Sequence, residues 1–469
     1  MTRTGSLRAR GGPDDIATAP IPKVPPLLAR TAAVRILTIY VVMLLLIPSQ
    51  LVVGPLGAAG TPAGILAFVY FLWYGFAWLS PRSIVLRESQ PLRALIAIFL
   101  ACVLVSYAAS MMRALPVEEL NGADRGLIIA AGWAGIALLT ADSLDRMESL
   151  ERLHRKMVVI GSGLAVLGII QFFTGFDFVK YIDIPGLSLQ VPHISLVPRD
   201  EFNRPAGTAI HPIEFGAVLG LLLPLAIHGA RYAPAGRRFL RWTQVIAIAA
   251  AMMMTVSRSA FLAGAIALLV ILPTWDAASR RRAYAATVVF MGVLYVVTPG
   301  LLGTLKALIT DIGSDSSTQY RTHDYDAVAH YLAQHPWFGR GFGTFLPQFY
   351  RIFDNQYLVT LVEMGVCGLL ALITLFVTGW VLARQARKAS TDPRERHLAQ
   401  CIAAGVAVAT FSFGTFDAAS FPMSCGMTFL MLGFAGAIWR LLRGSVRPAL
   451  GAEPDRRVAP REPSSTASP

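Results

Sequence analysis

The stretch FDNQYLVTLVEMGVCG, residues 353–368, sets an Asp and an Asn directly before an apolar run that continues to about residue 383. A run of that length is enough to cross a bilayer as a helix, which takes about 17–25 residues. At its start, Asp354 or Asn355 can cap the helix by accepting from a free backbone N–H. A capping Asp is held as the anion by the helix dipole, which makes it a weak base. Within the run, Gln356, Thr360 and Glu363 fall at i, i+4 and i+7 and form one polar stripe. An ionisable group inside a span faces the bundle interior, so Glu363 marks either a polar interior or a structural hydrogen bond.

The rest of the chain reads the same way. Of 469 residues, 55% are hydrophobic and only 15% charged, and the mean hydropathy is +0.56, which excludes an ordinary soluble globule. The expected fold is all-α, a polytopic membrane bundle of about 12 transmembrane helices, with spans near 34–54, 62–80, 92–110, 125–141, 156–174, 210–229, 241–256, 259–274, 283–300, 355–383, 398–416 and 419–440. With the N-terminus cytoplasmic, the basic loops SPRSIVLRESQPLR, RMESLERLHRK, ARYAPAGRRFLR, SRRRA and RQARKASTDPRER all fall inside, as do both tails. The positive-inside rule then fixes the orientation and puts residues 353–355 outside. The net charge of +13 is spread over short loops and tails, where anionic membrane lipids are the nearer partner, and no nucleic-acid stripe is formed. Cys102, Cys367, Cys401 and Cys425 all lie in expected spans, so they predict packing residues, with no disulfide framework and no thiolate metal site.

Residues 1–33 and 444–469, Pro-rich and charged, are expected to be disordered cytoplasmic tails around a transmembrane domain at 34–443. Two outer connections are long, 175–209 and 301–354, and long ordered loops on a rigid scaffold are where function concentrates. In the second, Tyr325, Val328 and Leu332 recur at helical spacing, which predicts an amphipathic helix over 321–334 that ends at Pro336.

Polar clusters fall in or beside these loops. In RPAGTAIHPIEFG, Arg204 precedes a Gly207-Thr208 turn, His211-Pro212 opens a span, and Glu214 lies one helical turn from His211. These residues either cap a helix start and face water, or they act on substrate. In TVSRSAF, Arg258 stands in a minimal turn between two spans, where it either snorkels to lipid phosphate or holds the phosphate of a lipid-linked substrate. In QYRTHDYDAVAHYLAQHPWFGRGFGTF, the GRGFG run lacks the strand-before, helix-after setting of a nucleotide loop. The pair Asp324 and Asp326 lies about 200° apart on a helix, which favours a solvated face over a metal pair. Arg321 and Arg340 remain as outer cations.

RPAGTAIHP before a span, TVSRSAF between spans, HPWFGRGFGTF late in a long outer loop, and DN followed after nine intervening residues by Gly365 and then Gly368 together resemble the O-antigen ligase and O-antigen polymerase superfamily. The resemblance covers roughly residues 200–380. It implies a GT-C-like membrane glycosyltransferase, resident in the bacterial cytoplasmic membrane, that needs no cofactor and no metal. Its donor would be a glycan on a polyprenyl diphosphate at the outer face, and its acceptor a hydroxyl on another glycan or on a lipid. The resemblance also implies that outer-loop arginines bind the diphosphate, here Arg204, Arg258 and Arg321, with Arg340 and Arg351 as further candidates. Ligases of this family carry His before the Asn of the DN motif, and Asp354 stands there instead, which leans the reading toward polymerisation.

The chemistry is consistent with that implication. A lipid diphosphate is already an activated leaving group, so the protein must stabilise departing negative charge and orient an acceptor hydroxyl. Asp354, His211, Glu214 and His323 are the candidates for the second task, with Asn355 and Glu363 supporting. Two rivals stay open. About twelve spans with both ends inside also suit a transporter of lipid-linked glycan, a reading that rests on Glu363, and a non-catalytic scaffold of a glycan export complex would need none of these roles.

Overall fold

The computed structural model describes residues 30–79, 89–190, 196–199, 202–301, 303–304 and 316–444. The expected tails lie outside these residues except for 30–33 and 444, which are helical. The helices run in the order α1 (Arg30–Leu46), α2 (Pro62–Leu79), α3 (Pro91–Ser110), α4 (Val117–Ser143), α5 (Met147–Thr174), α6 (Pro212–Arg231), α7 (Arg238–Met254), α8 (Arg258–Ile271), α9 (Ala277–Val297), α10 (Ser316–Gln334), α11 (Gln356–Ala389), α12 (Pro393–Phe413) and α13 (Pro422–Gly444). Among the described residues, seven helices are long and apolar enough to cross a membrane: α2, α3, α4, α5, α6, α11 and α13. Ala32–Leu46 and Arg258–Thr274 are shorter apolar helices. The chain is thus an all-α membrane bundle.

Burial ranks the helices by depth. α6 and α13 are almost wholly enclosed and α4 nearly so, whereas α2 and α3 expose most of their apolar surface. The enclosed helices carry small residues where neighbours approach: a Cβ at Gly433 of α13 would lie 2.6 Å from the Thr140 Cβ of α4, a separation that only a missing side chain permits. The exposed apolar side chains of α2 and α3, such as Phe76, Leu79 and Leu104, suit contact with lipid, which has no polar partner to lose.

Both long connections emerge at one end, the loop end. The described residues of 175–209 contribute to two short antiparallel ribbons, β2 (Ser188–Leu189) against β1 (Leu51–Val52) and β3 (Leu196–Arg199) against β4 (Phe202–Pro205), the second pairing Val197 with Arg204. α10 rests on the first turns of α11 through a small satellite core of Val328, Phe345, Phe353 and Val362. Its inward face differs from the expected one. Val328 is buried, but Tyr325 points outward, and Asp324 and Tyr331 turn in. Two contacts decide this rotation. Asp324 pairs with Arg351 at 2.8 Å, and the Tyr331 ring meets the Phe345 ring edge-on at 5.2 Å. Asp324 therefore does not belong to a solvated face.

α11 is one run in sequence and two helices in space. At Gly365 the backbone turns to φ +65°, ψ −166° and breaks the helix. A break at membrane depth frees N–H and C=O groups that lipid cannot satisfy. Here the loop before α11 satisfies them. The N–H groups of Arg340 and Gly341 donate to Val362 O (3.0 Å) and Glu363 O (2.9 Å), while those of Val366 and Cys367 donate to Pro336 O (2.9 Å) and Trp337 O (3.2 Å). This is the structural use of the glycine-rich run: a Cβ at Gly339 would lie 2.2 Å from the Glu363 backbone.

Candidate functional site

The RPAGTAIHP segment is strapped to the loop end of the bundle. The Gln171 amide clamps Gly207 on both sides, accepting from its N–H (2.7 Å) and donating to its C=O (3.2 Å). The Thr208 hydroxyl donates to Leu45 O at 2.6 Å. These ties fix β4 and deliver Arg204, 7% exposed, whose Nε donates to Thr255 O at 2.8 Å. That carbonyl belongs to the turn joining α7 to α8. In it Val256 holds φ +46°, a conformation a β-branched residue adopts only under constraint. Arg258 follows at once and opens α8, half-buried. Arg204 and Arg258 are thereby tied into one corner.

His211 caps α6, its Nδ1 accepting from the Ile213 N–H at 3.2 Å. Burial, reinforced by the nearby Arg204 charge, pushes this imidazole down to about 4, so it is neutral at physiological pH. Glu214, one turn on, does not face water as a cap open to solvent would. It is fully enclosed. One carboxylate oxygen accepts from Ile210 N–H (2.8 Å), and the other accepts from Met423 (2.7 Å) and Ser424 (3.2 Å). A single carboxylate therefore staples the start of α6 to the start of α13, where helix dipoles favour negative charge.

Asn355, not Asp354, caps α11, accepting from Tyr357 N–H at 3.0 Å. Asp354 therefore stands just outside the cap. Beside it lies a residue that sequence reading did not single out, Asp417, in the turn between α12 and α13. That turn is laid on the start of α11 by two bonds, Gln356 N–H to Phe416 O (3.1 Å) and Ala419 N–H to the Gln356 side-chain oxygen (2.8 Å). Burial, helped by the Asp354 charge, raises the Asp417 carboxyl to about 6 against the opposing Ser420 hydrogen bond. Phe421 then links this turn to the α6 cap, its ring 6.3 Å from that of His211 and 5.4 Å from that of Phe416. One rim thus holds His211, Asp354 and Asp417.

Arg340 stands in a different group. It lies 3.4 Å from Glu119, which also pairs with Arg113 at 3.0 Å, and Arg113 donates to Arg340 O at 3.1 Å. Tyr350 joins Arg340 and Glu119 through its hydroxyl and offers its ring 4.1 Å from the Arg340 guanidinium. Two guanidinium groups share one carboxylate, so the cluster keeps one formal positive charge. Arg351, paired with Asp324, adds no net charge. Glu363 is buried, and its carboxylate accepts from the Phe345 N–H at 3.2 Å. Arg321 and His323 lie in the backbone of α10, and their side chains fall outside the described residues.

At the opposite end of the bundle, His228, His397 and Cys401 bring ligand-type atoms within 4.8 Å of one another. Trp275 Nε1–H donates to His397 Nε2 at 2.9 Å, so a neutral His397 carries its proton on Nδ1. That proton faces His228 Nδ1 at 3.1 Å and occupies the nitrogen a metal ion would need. The group is a hydrogen-bonded pair of imidazoles with the Cys401 thiol beside it, 3.5 Å from His397 Nδ1.

The fold and the rim define a multi-pass membrane protein with a polar, loop-covered site at one end. A family model described as O-Antigen ligase matches residues 243–373, a region that runs from α7 into α11 and contains Arg258, Arg340, Asp354 and Gly365. Over those residues the chain is similar to the O-antigen ligase family. No curated protein matches the chain.

Proposed function

We propose that this protein is a surface-polysaccharide polymerase that transfers glycan from a polyprenyl-diphosphate donor at the outer face of the bacterial cytoplasmic membrane, with the loop end outward. The observation that supports it most is the rim itself: Arg204 and Arg258 in one corner, neutral His211 beside them, and the Asp354–Asp417 pair across Phe421. In this reading the acceptor hydroxyl oxygen forms a bond to the anomeric carbon as the bond from that carbon to the diphosphate oxygen breaks. The leaving diphosphate keeps the electron pair, and the guanidinium groups of Arg204 and Arg258 stabilise its growing charge. The acceptor proton passes to the carboxylate pair, where Asp417, poised near neutrality, is a better base than a capping carboxylate. Arg321 and the net-positive Arg113–Glu119–Arg340 cluster supply further attraction for the donor. Glu214 acts as a positioning residue, since its oxygens are engaged by backbone.

Asp354 at the position where ligases carry His favours polymerisation over ligation to a lipid or protein acceptor. A transport reading would place its substrate at the break in α11, but residues 336–341 fill that break and the Glu363 carboxylate is bonded to the loop. The test is transfer of a lipid-linked oligosaccharide by purified protein. Arg258→Ala and Asp417→Asn are each expected to lower turnover by 10-fold or more, in line with losing one preorganised charge or base. Wild-type turnover in both variants would sink the reading, and flux across proteoliposomes without any glycosyl transfer would favour transport.

A further inference from the structure

At the end of the bundle opposite the candidate site, α2, α3, α4 and α13 line an open groove of about 670 Å³. Its walls are aromatic and aliphatic, with Phe71, Tyr74, Trp78, Leu138 and Trp439 among them. A second hollow of about 390 Å³ continues between α2, α3 and α4 and shares Phe71 and Leu100 with the first, reaching Leu104. From Gln90 to Leu104 the furrow runs about 21 Å along α3 at about 1.5 Å per residue. One leaflet supplies about half of the roughly 30 Å hydrocarbon core. The furrow is therefore somewhat longer than one leaflet's hydrocarbon is deep, enough to hold an acyl chain along its whole length.

Its polar end is built. Gln90 is only 6% exposed, lines the cavity, and neither its amide nitrogen nor its amide oxygen has a hydrogen-bond partner. A buried amide without partners costs about 1–3 kcal/mol, so a ligand that bonds to it gains what the folded chain leaves unused. Gln90 is also the N-cap of the 20-residue α3, and its side chain makes no capping bond, which leaves the positive end of that helix dipole directed at the cavity mouth. Arg443, exposed on the last turn of α13, lines the same mouth and stacks 5.0 Å from the Trp439 ring centroid. Among the described lining residues, the other guanidinium, that of Arg93, is bound to Asp142 at 2.9 Å, and Tyr74 donates to the same oxygen at 2.6 Å.

We propose that this furrow is a specific site for an anionic diacyl phospholipid, its phosphodiester held by Gln90, Arg443 and the α3 N-terminus, and one acyl chain lying along α3. The apolar length fits a tail, and the uncapped dipole with Arg443 fits a single negative charge. The site is independent of the transfer reaction, because it lies at the other end of the bundle and its test involves no glycan.

Trp78 and Trp439 line the site, so brominated lipids report on it by quenching. In vesicles, brominated phosphatidylglycerol is expected to quench the emission lost in Trp78→Phe/Trp439→Phe at a several-fold lower mole fraction than brominated phosphatidylcholine. Gln90→Leu with Arg443→Gln should remove that preference. Should that variant not fold, unlabelled lipid decides on the wild-type protein: phosphatidylglycerol must displace the brominated probe well before phosphatidylcholine does. Equal quenching and equal displacement by both lipids would mean an annular lipid only, and quenching by neither would mean that the chain itself fills the furrow. Either result overturns the proposal.

Discussion

Gly365 and Trp337 are in backbone contact across the break in α11: a Cβ on Gly365 would lie 2.4 Å from the Trp337 carbonyl carbon and oxygen. Since Gly365 also holds φ +65°, Gly365→Ala combines a left-handed strain of about 1–3 kcal/mol with a backbone clash. The expected outcome is a marked fall in thermal midpoint in detergent, matched by Gly339→Ala. A melting curve for Gly365→Ala that overlays the wild type would show that the break is not held as described.

Glu214 connects two helix starts, so its removal should act on the fold before it acts on chemistry. Glu214→Ala leaves two buried and one part-buried N–H groups without an acceptor and is expected to cost about 3 kcal/mol or more. Glu214→Gln keeps one acceptor oxygen and should cost roughly half as much. The ratio of the two losses, read by thermal unfolding, separates a structural staple from a titrating base. Equal losses would contradict the two-oxygen arrangement.

Glu119 balances two cations. Glu119→Gln leaves Arg113 and Arg340 facing each other without their anion, and the expected destabilisation is about 3 kcal/mol, toward the low end for a broken buried pair because Arg113 reaches solvent. Combining Glu119→Gln with Arg113→Gln should recover part of that loss by relieving the repulsion. A double variant no better than Glu119→Gln alone would argue that repulsion is not the cause.

Asp417 and His211 give opposite contributions to pH dependence. The Asp417 carboxyl, raised to about 6, binds more protons folded than unfolded between about pH 4 and 6, so it makes stability fall as pH rises through that window. His211, lowered to about 4, binds fewer protons folded than unfolded between about pH 4 and 6.5, so it makes stability rise there. Asp417→Asn should therefore steepen the gain in thermal midpoint between pH 4 and 6. His211→Gln should flatten or reverse it. Parallel midpoint curves for wild type and both variants would contradict these environments.

Transfer activity should follow the same carboxyl. Above about pH 6 Asp417 is ionised and can take the acceptor proton, and below it cannot. Turnover is expected to rise through pH 6 in the wild type and to lose that step in Asp417→Asn, with any residual rate carried by Asp354. A step that survives unchanged in Asp417→Asn would assign it to another group.

The helical bundle was legible because apolar run length and helix starts are local properties. The Asn355 cap and the Pro212 helix start were readable from adjacent residues, although sequence left open whether Asp354 or Asn355 did the capping. What could not be read were partnerships across long stretches of chain. Asp324 looked solvated because its partner Arg351 lies on another element, and the role of Glu214 stayed open because two of the three N–H groups it accepts from belong to α13. Asp417 had one available signal, as the lone charge in the short GTFDAAS link between two apolar runs. That signal carries no family motif, and the residue gains meaning only when Gln356 folds the link onto α11. The glycine-rich run lacks the strand-before, helix-after setting of a nucleotide loop, but its service to a broken helix 20-odd residues later required the three-dimensional contact.

The seam between residues 336–341 and α11 is made from main-chain atoms, so it constrains inheritance in an unusual way. Most side chains along it can drift without disturbing the four bonds, but the bare positions 339 and 365 cannot drift singly, since each is the space the other segment occupies. The two stretches should therefore be exchanged between relatives as a matched cassette, and a chimera that swaps one of them alone should fail to assemble even when every charged residue is retained.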